Sequence, residues 1–182
     1  MRSIAQIEVV VCWLLWFYPF VRRARRQAQR TPEVTVSAGR WGILLQMLAM
    51  FLAWFYVPGP RSPALLATAM LLAPLATVCV WAAVPHLGKQ WRIQAGLYKD
   101  HELVRTGPYR IVRHPIYASM LAMFLAAAFV MSTWQLWLPG LALMIAGIEI
   151  RVRVEDGLLA SRFGGEFEAY KARVPAYIPF VR

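Results

Sequence analysis

The chain has 182 residues, 59% of them hydrophobic and only 16% charged, with a formal net charge of +11. So apolar a composition excludes an ordinary soluble domain and points to a membrane protein of one domain, 1–182. Its two cysteines, Cys12 and Cys79, sit in apolar runs without CxxC or Cys/His spacing, so neither a disulfide framework nor a metal site is expected.

In chain order, the first apolar run is IAQIEVVVCWLLWFYPFV (4–21). Only Arg2 precedes it, no small-residue cleavage site follows it, and Glu8 interrupts it, so it reads as a retained helix and not a signal peptide. RRARRQAQR (22–30) follows, a topology anchor suited to anionic lipid. Further apolar stretches fill 41–57, 63–85, 116–131 and 134–150. A bilayer core needs roughly 20 apolar residues per helix, so an all-α polytopic protein of about five transmembrane helices is expected. Ser132-Thr133 predicts a tight hairpin between the last two. Pro74 and Pro139 fall inside spans, where neighbouring groups must satisfy the freed carbonyls. Trp41, Trp54, Tyr56, Trp134 and Trp137 lie near span ends, as interfacial belts require.

Eighteen of the twenty Lys and Arg residues fall in 22–40, 86–115 and 151–182; only Arg2 and Arg61 lie elsewhere. The positive-inside rule then places the N-terminus outside and the C-terminus in the cytoplasm of a prokaryotic inner membrane. The same placement accounts for the net charge without nucleic acid. Segment 1–83 carries no motif. The polar loop 86–115 and the tail from 151 concentrate any chemistry at the cytoplasmic side, within a core of 84–182.

The loop ends in GPYRIVRHPIY (107–117). Gly107-Pro108 predicts a turn, His114 is held extended by the proline after it, and Pro115 suits a first helical turn. The free backbone donors of that turn, with the helix dipole, would favour an anionic group. Arg110, Arg113 and His114 would equally serve as interfacial residues reaching lipid phosphate, and His86 reads as interfacial. The last span continues as GIEIRVRVEDGLL (147–159), where Arg151 and Glu155 share a face, as do Glu149 and Arg153. Glu155-Asp156 is either an ion-paired helix end or a carboxylate pair that holds a ribose diol or an ammonium. No GxSxG elbow and no GxGxxG loop occurs.

GPYRIVRHPIY, the acid pair at 155–156, and FGGEFEAYKARVPAYIPF (163–180) together resemble the isoprenylcysteine carboxyl methyltransferase family. That family groups with the phospholipid N-methyltransferases as small integral-membrane enzymes that use S-adenosylmethionine. HLGKQW (86–91) adds a shorter signature, and the resemblance covers about residues 84–182. It implies that Leu103, Val104, Gly107, Tyr109, Arg113, His114, Pro115, Tyr117, Glu155 and Asp156 hold the cofactor. Arg151 and Glu155 become the candidate catalytic residues, with Arg151 facing the acceptor. The family's second glutamate is Asp156 here, one methylene shorter, and its glycine after the tyrosine is Ala118. The implied reaction is methylation of a lipophilic acceptor, a prenylcysteine-like carboxylate first, with lipid amine or thiol acceptors as alternatives. A sterol-reductase-like NADPH enzyme and a non-catalytic membrane scaffold are the competing readings.

Overall fold

The computed structural model describes residues 1–27 and 32–179. Arg30, Phe180 and Arg182, each part of a motif or charge pattern above, lie outside the described residues, as does the side chain of Arg26. The fold is mostly helical, at 73%. Six helices follow in order: α1 (Arg2–Gln27), α2 (Gly39–Trp54), α3 (Pro63–Leu87), α4 (Pro115–Met131), α5 (Trp134–Phe163) and α6 (Gly165–Lys171).

All five expected apolar stretches fall on helices, although α2 stops at Trp54, three residues short of the expected 41–57, and they differ in reach. Within α1, α3 and α5 lie three segments long and apolar enough to cross a membrane. Helices α2 and α4 have 16 and 17 residues. At ~1.5 Å per residue, each falls short of a ~30 Å hydrocarbon core. Side chains such as Ile4, Ile7, Leu71, Leu75 and Val78 stay exposed on the outer surface of the long helices, as lipid-facing positions would. Helix α4 is instead the buried centre. It packs extensively on α3 and touches α1, α2 and α5, and its Met123, Phe124, Ala126, Ala127 and Ala128 have no accessible surface. Three consecutive alanines let its neighbours approach closely in a setting where packing, not hydrophobic exclusion, drives helix association.

The most extensive pairing joins α2 to α5. It turns on two glycines: a Cβ on Gly42 would stand 2.7 Å from the Gly147 carbonyl oxygen, and one on Gly147 equally near that of Gly42. Backbones touch here because neither residue has a side chain.

Two strands of two residues each, β1 (Val34–Thr35) and β2 (Gly96–Leu97), pair antiparallel with Val34 opposite Leu97. An all-helical reading lacked this pairing, because two residues carry no periodicity to detect. The pairing ties the segment before α2 to the long loop between α3 and α4. In that loop Gly107 adopts φ +58, and its Cα faces the His86 ring with no room for a Cβ. A left-handed turn thus starts the short 3-10 helix Gly107–Arg110 that leads to α4.

Helix α5 runs on to Phe163, well beyond the apolar stretch, and Gly164 at φ +51 breaks it from α6. After α6 the chain folds back under α4. The backbone N–H groups of Arg113 and His114 donate to Pro175 O at 2.8 Å and Ala176 O at 2.7 Å. Tyr177 donates to Glu149 at 2.9 Å and anchors the tail to α5.

At the opposite end of the bundle, Arg2 donates to the carbonyls of Gly59 and of Val57, the latter at 2.6 Å. Arg61 donates to Val57 O at 2.8 Å and Met131 O at 3.3 Å. These contacts tie the loop after α2 to Met131, the last residue of α4, whose carbonyl has no partner within its own helix.

Candidate functional site

The RHP-Y stretch and the acid pair meet where α4 begins beside α5. Glu155 and Asp156 are adjacent, so a helix turns their side chains ~100° apart. Each therefore serves a different partner. Asp156 accepts from Arg113 at 2.9 Å through Oδ2 and pairs with His114 Nε2 at 2.9 Å through Oδ1. Glu155 accepts from the Tyr117 hydroxyl and, at 3.0 Å, from Arg151, one helical turn earlier. His114 Nδ1 lies 3.5 Å from the second Glu155 oxygen, so one imidazole spans both carboxylates.

Five of these groups are buried: Arg113, His114, Tyr117, Arg151 and Asp156 are each no more than 8% exposed. Burial disfavours a charged His114, yet hydrogen bonds to Asp156 and Glu155 and their negative charge prevail, and its pKa is raised above the ordinary imidazole value. A protonated ring donates from both nitrogens, which is what the two carboxylates accept. Arg151 is held three ways: Nε donates to the Tyr117 hydroxyl, NH2 to Glu155 and to Ile93 O at 2.8 Å. Its stem lies over Gly42, whose missing side chain makes the space.

The cluster faces a cavity of about 740 Å³, within the range of small-molecule sites. Leu103, Val104, Tyr109, Arg113, His114, Pro115, Tyr117, Arg151 and Glu155 all line it. Gly107 and Asp156 stand outside its lining: Gly107 shapes the turn against His86, and Asp156 secures Arg113 and His114 from behind. Arg110 is exposed and also outside, as is His86, whose Nδ1 lies 2.8 Å from Ala82 O. Four of the backbone donors around the start of α4 are already used. Those of Arg113 and His114 serve the tail, and those of Tyr117 and Ala118 bond His114 O.

From this polar end the cavity extends between α1 and α2 along an apolar wall that includes Trp13, Phe17, Met47, Met50 and Trp54. That half was invisible to motif reading because it consists of ordinary apolar helix residues. Among the other polar side chains that line the cavity, two come from the sequence motifs. Gln90 lies in HLGKQW, and Tyr170, in FGGEFEAY, donates to Tyr109 O at 2.6 Å. Burial pushes the Tyr170 hydroxyl up to about 12 and that of Tyr109 still higher. Both stay protonated donors at neutral pH.

The residues fit S-adenosylmethionine. Buried Tyr109 Oη and Gln90 Oε1 find no partner among the described residues, and they lie on a cavity that also offers fixed carboxylate, arginine and imidazole groups. Such unmatched polar atoms suit a polar molecule the structure does not contain.

Fold and site define a small helical membrane protein with a buried charged centre opening onto an apolar cleft. The chain matches the isoprenylcysteine carboxyl methyltransferase family over residues 67–161, just over half its length, and belongs to it. The family is one of membrane methyltransferases, and its enzymes use S-adenosylmethionine as a general property. The chain is 34% identical over 122 residues to the cobalt-zinc-cadmium resistance protein CzcN of Cupriavidus metallidurans, covering 65% of this chain and 50% of that protein. It is 34% identical over 134 residues to the nickel-cobalt-cadmium resistance protein NccN of Alcaligenes xylosoxydans xylosoxydans, covering 65% and 51%. To the protein-S-isoprenylcysteine O-methyltransferase of Schizosaccharomyces pombe it is 31% identical over 83 residues, covering 46% and 35%. The chain thus spans about half, or less, of the length of these relatives. Among the described residues, no group of three or more His, Cys, Asp or Glu is arranged to hold a metal ion.

Proposed function

We propose that this protein transfers a methyl group from S-adenosylmethionine to a lipophilic acceptor, a prenylcysteine-like carboxylate, at the cytoplasmic side of a membrane crossed by all five apolar helices. The observation that carries this is one continuous cavity: a charged cluster of His114, Tyr117, Arg151 and Glu155 at one end, and the apolar wall of α1 and α2 at the other.

Bound S-adenosylmethionine supplies an electrophilic methyl on sulfur, and its transfer to a carboxylate breaks one C–S bond, forms one C–O bond and releases no proton. What remains for the protein is alignment and exclusion of water. Glu155, Tyr109, Gln90 and His114 would hold the cofactor's polar groups. Arg151 would pair with the acceptor carboxylate through NH1, the end of its guanidinium that the contacts to Tyr117, Glu155 and the Ile93 carbonyl do not use, while those contacts keep the group from swinging. With His114 protonated, the cluster sets three cations against two carboxylates, an excess that favours an anionic acceptor. An amine acceptor is the second reading, favoured by Glu155 lining the cavity where an ammonium proton would have to be taken up.

Calorimetry of the purified protein with S-adenosylmethionine, S-adenosylhomocysteine and NADPH tests the cofactor; binding of NADPH alone, or of none, overturns the reading. Methyl transfer from labelled cofactor to lipid carboxylates, amines and thiols then assigns the acceptor. Cysteine accessibility in intact membrane vesicles tests the orientation.

A further inference from the structure

Gln46 is the one amide on the α1 and α2 walls of the cavity, among tryptophan, phenylalanine and methionine side chains. It is 5% exposed, and its Nε2 is sealed from water without a partner among the described residues. Its position is fixed by the glycine crossing. Gly42 faces the stem of Arg151, and Gln46, the next turn of α2, packs its Cγ against Gly147. The amide therefore sits one helical turn, ~5.4 Å, farther from the charged cluster than Arg151. Trp54 Nε1, about two turns farther on, is likewise buried and unpartnered among the described residues. Both unmatched groups on α2 are donors. A donor kept in an apolar wall is costly unless an oxygen meets it, and a bare hydrocarbon chain offers none.

We propose that Gln46 is a specificity-determining residue, its side-chain amide donating to the carbonyl oxygen that the methyl acceptor carries a few bonds from the reacting carboxylate. This rests on the function proposed above and assigns one residue of the same site to acceptor recognition.

Two probes isolate the contact: N-acetyl-S-farnesylcysteine, and S-farnesyl-3-mercaptopropionate, which lacks the acetamido group. Their binding is read from the quenching of cavity tryptophans Trp13 and Trp54 with S-adenosylhomocysteine present, and their methylation with labelled cofactor. The wild-type protein should prefer the amide probe by about tenfold, the scale of one hydrogen bond to an otherwise unpaired donor. Gln46→Leu should erase that preference while adenosylhomocysteine affinity stays unchanged. A wild-type protein indifferent to the amide, or a variant that weakens both probes equally, overturns the assignment. Amide discrimination without methyl transfer to either probe would sink the enzymatic reading and leave the role of Gln46 standing. Transfer without discrimination would do the reverse.

Discussion

Two buried arginines of the charged cluster, Arg113 and Arg151, and the two arginines of the opposite end, Arg2 and Arg61, are used differently. Among the described residues, Arg2 and Arg61 donate to main-chain carbonyls of the loop after α2 and of Met131 at the end of α4, and Arg2 also lies over the Tyr56 ring at 4.9 Å. Arg113 and Arg151 are more deeply buried and meet carboxylates and a phenol as well as carbonyls. Carbonyl partners give an arginine a fastening role. Carboxylate partners give it a defined charge environment that responds when any member is lost, which is what a reactive site requires.

Removing the carboxylate that serves two cations should break this contrast most severely. Asp156→Ala leaves Arg113 and His114 without their shared partner, and should cost about 3–5 kcal/mol of stability together with adenosylhomocysteine binding. Thermal unfolding in detergent and calorimetry measure both; an unchanged melting temperature would show that the pair is dispensable. Gly42→Ala should come next. Its Cβ would stand 2.5 Å from Arg151 Cγ and 2.7 Å from Gly147 O, overpacking of a kind that costs about 1–3 kcal/mol. Because the clash displaces Arg151, turnover should fall more than cofactor affinity; equal losses would mean that only the crossing was disturbed.

The dependence on pH sharpens the comparison further. His114 has a folded pKa above its unfolded value of about 6.5. Its contribution is therefore fully present below that pH and is lost as pH rises through the folded pKa. The melting temperature should decline over that range in the wild type and less so in His114→Gln. The smallest effect belongs to the other pair. Arg2→Gln and Arg61→Gln should each cost about 1 kcal/mol or less and leave adenosylhomocysteine affinity untouched. A loss of affinity there would mean that the far end is coupled to the site.

The sequence exposed one side of the cavity well. Arg113, His114, Tyr117, Arg151 and Glu155 share a recognisable order, and the periodicity of α5 already set Arg151 and Glu155 on one face. The difference between Glu155 and Asp156 was hidden, because adjacency in sequence says nothing about which of two neighbours faces inward. Gly42 and Gln46 gave no signal either. A glycine matters there only through the helix that crosses it, and a lone amide in an apolar run looks like any tolerated polar residue. The tail's role was equally closed to inspection, since Pro175 and Ala176 act through main-chain oxygens that every residue possesses.

Those two carbonyls also order events in the life of the chain. When the ribosome has finished α5, every long apolar helix exists and membrane insertion can be complete. Arg113 and His114, though made long before, still lack the main-chain oxygens that fix them. The backbone at Arg113 and His114 is thus fixed only once Pro175 and Ala176 have folded back against it. A chain interrupted before them would carry the long apolar helices without the hydrogen bonds that hold the entrance to α4 in place.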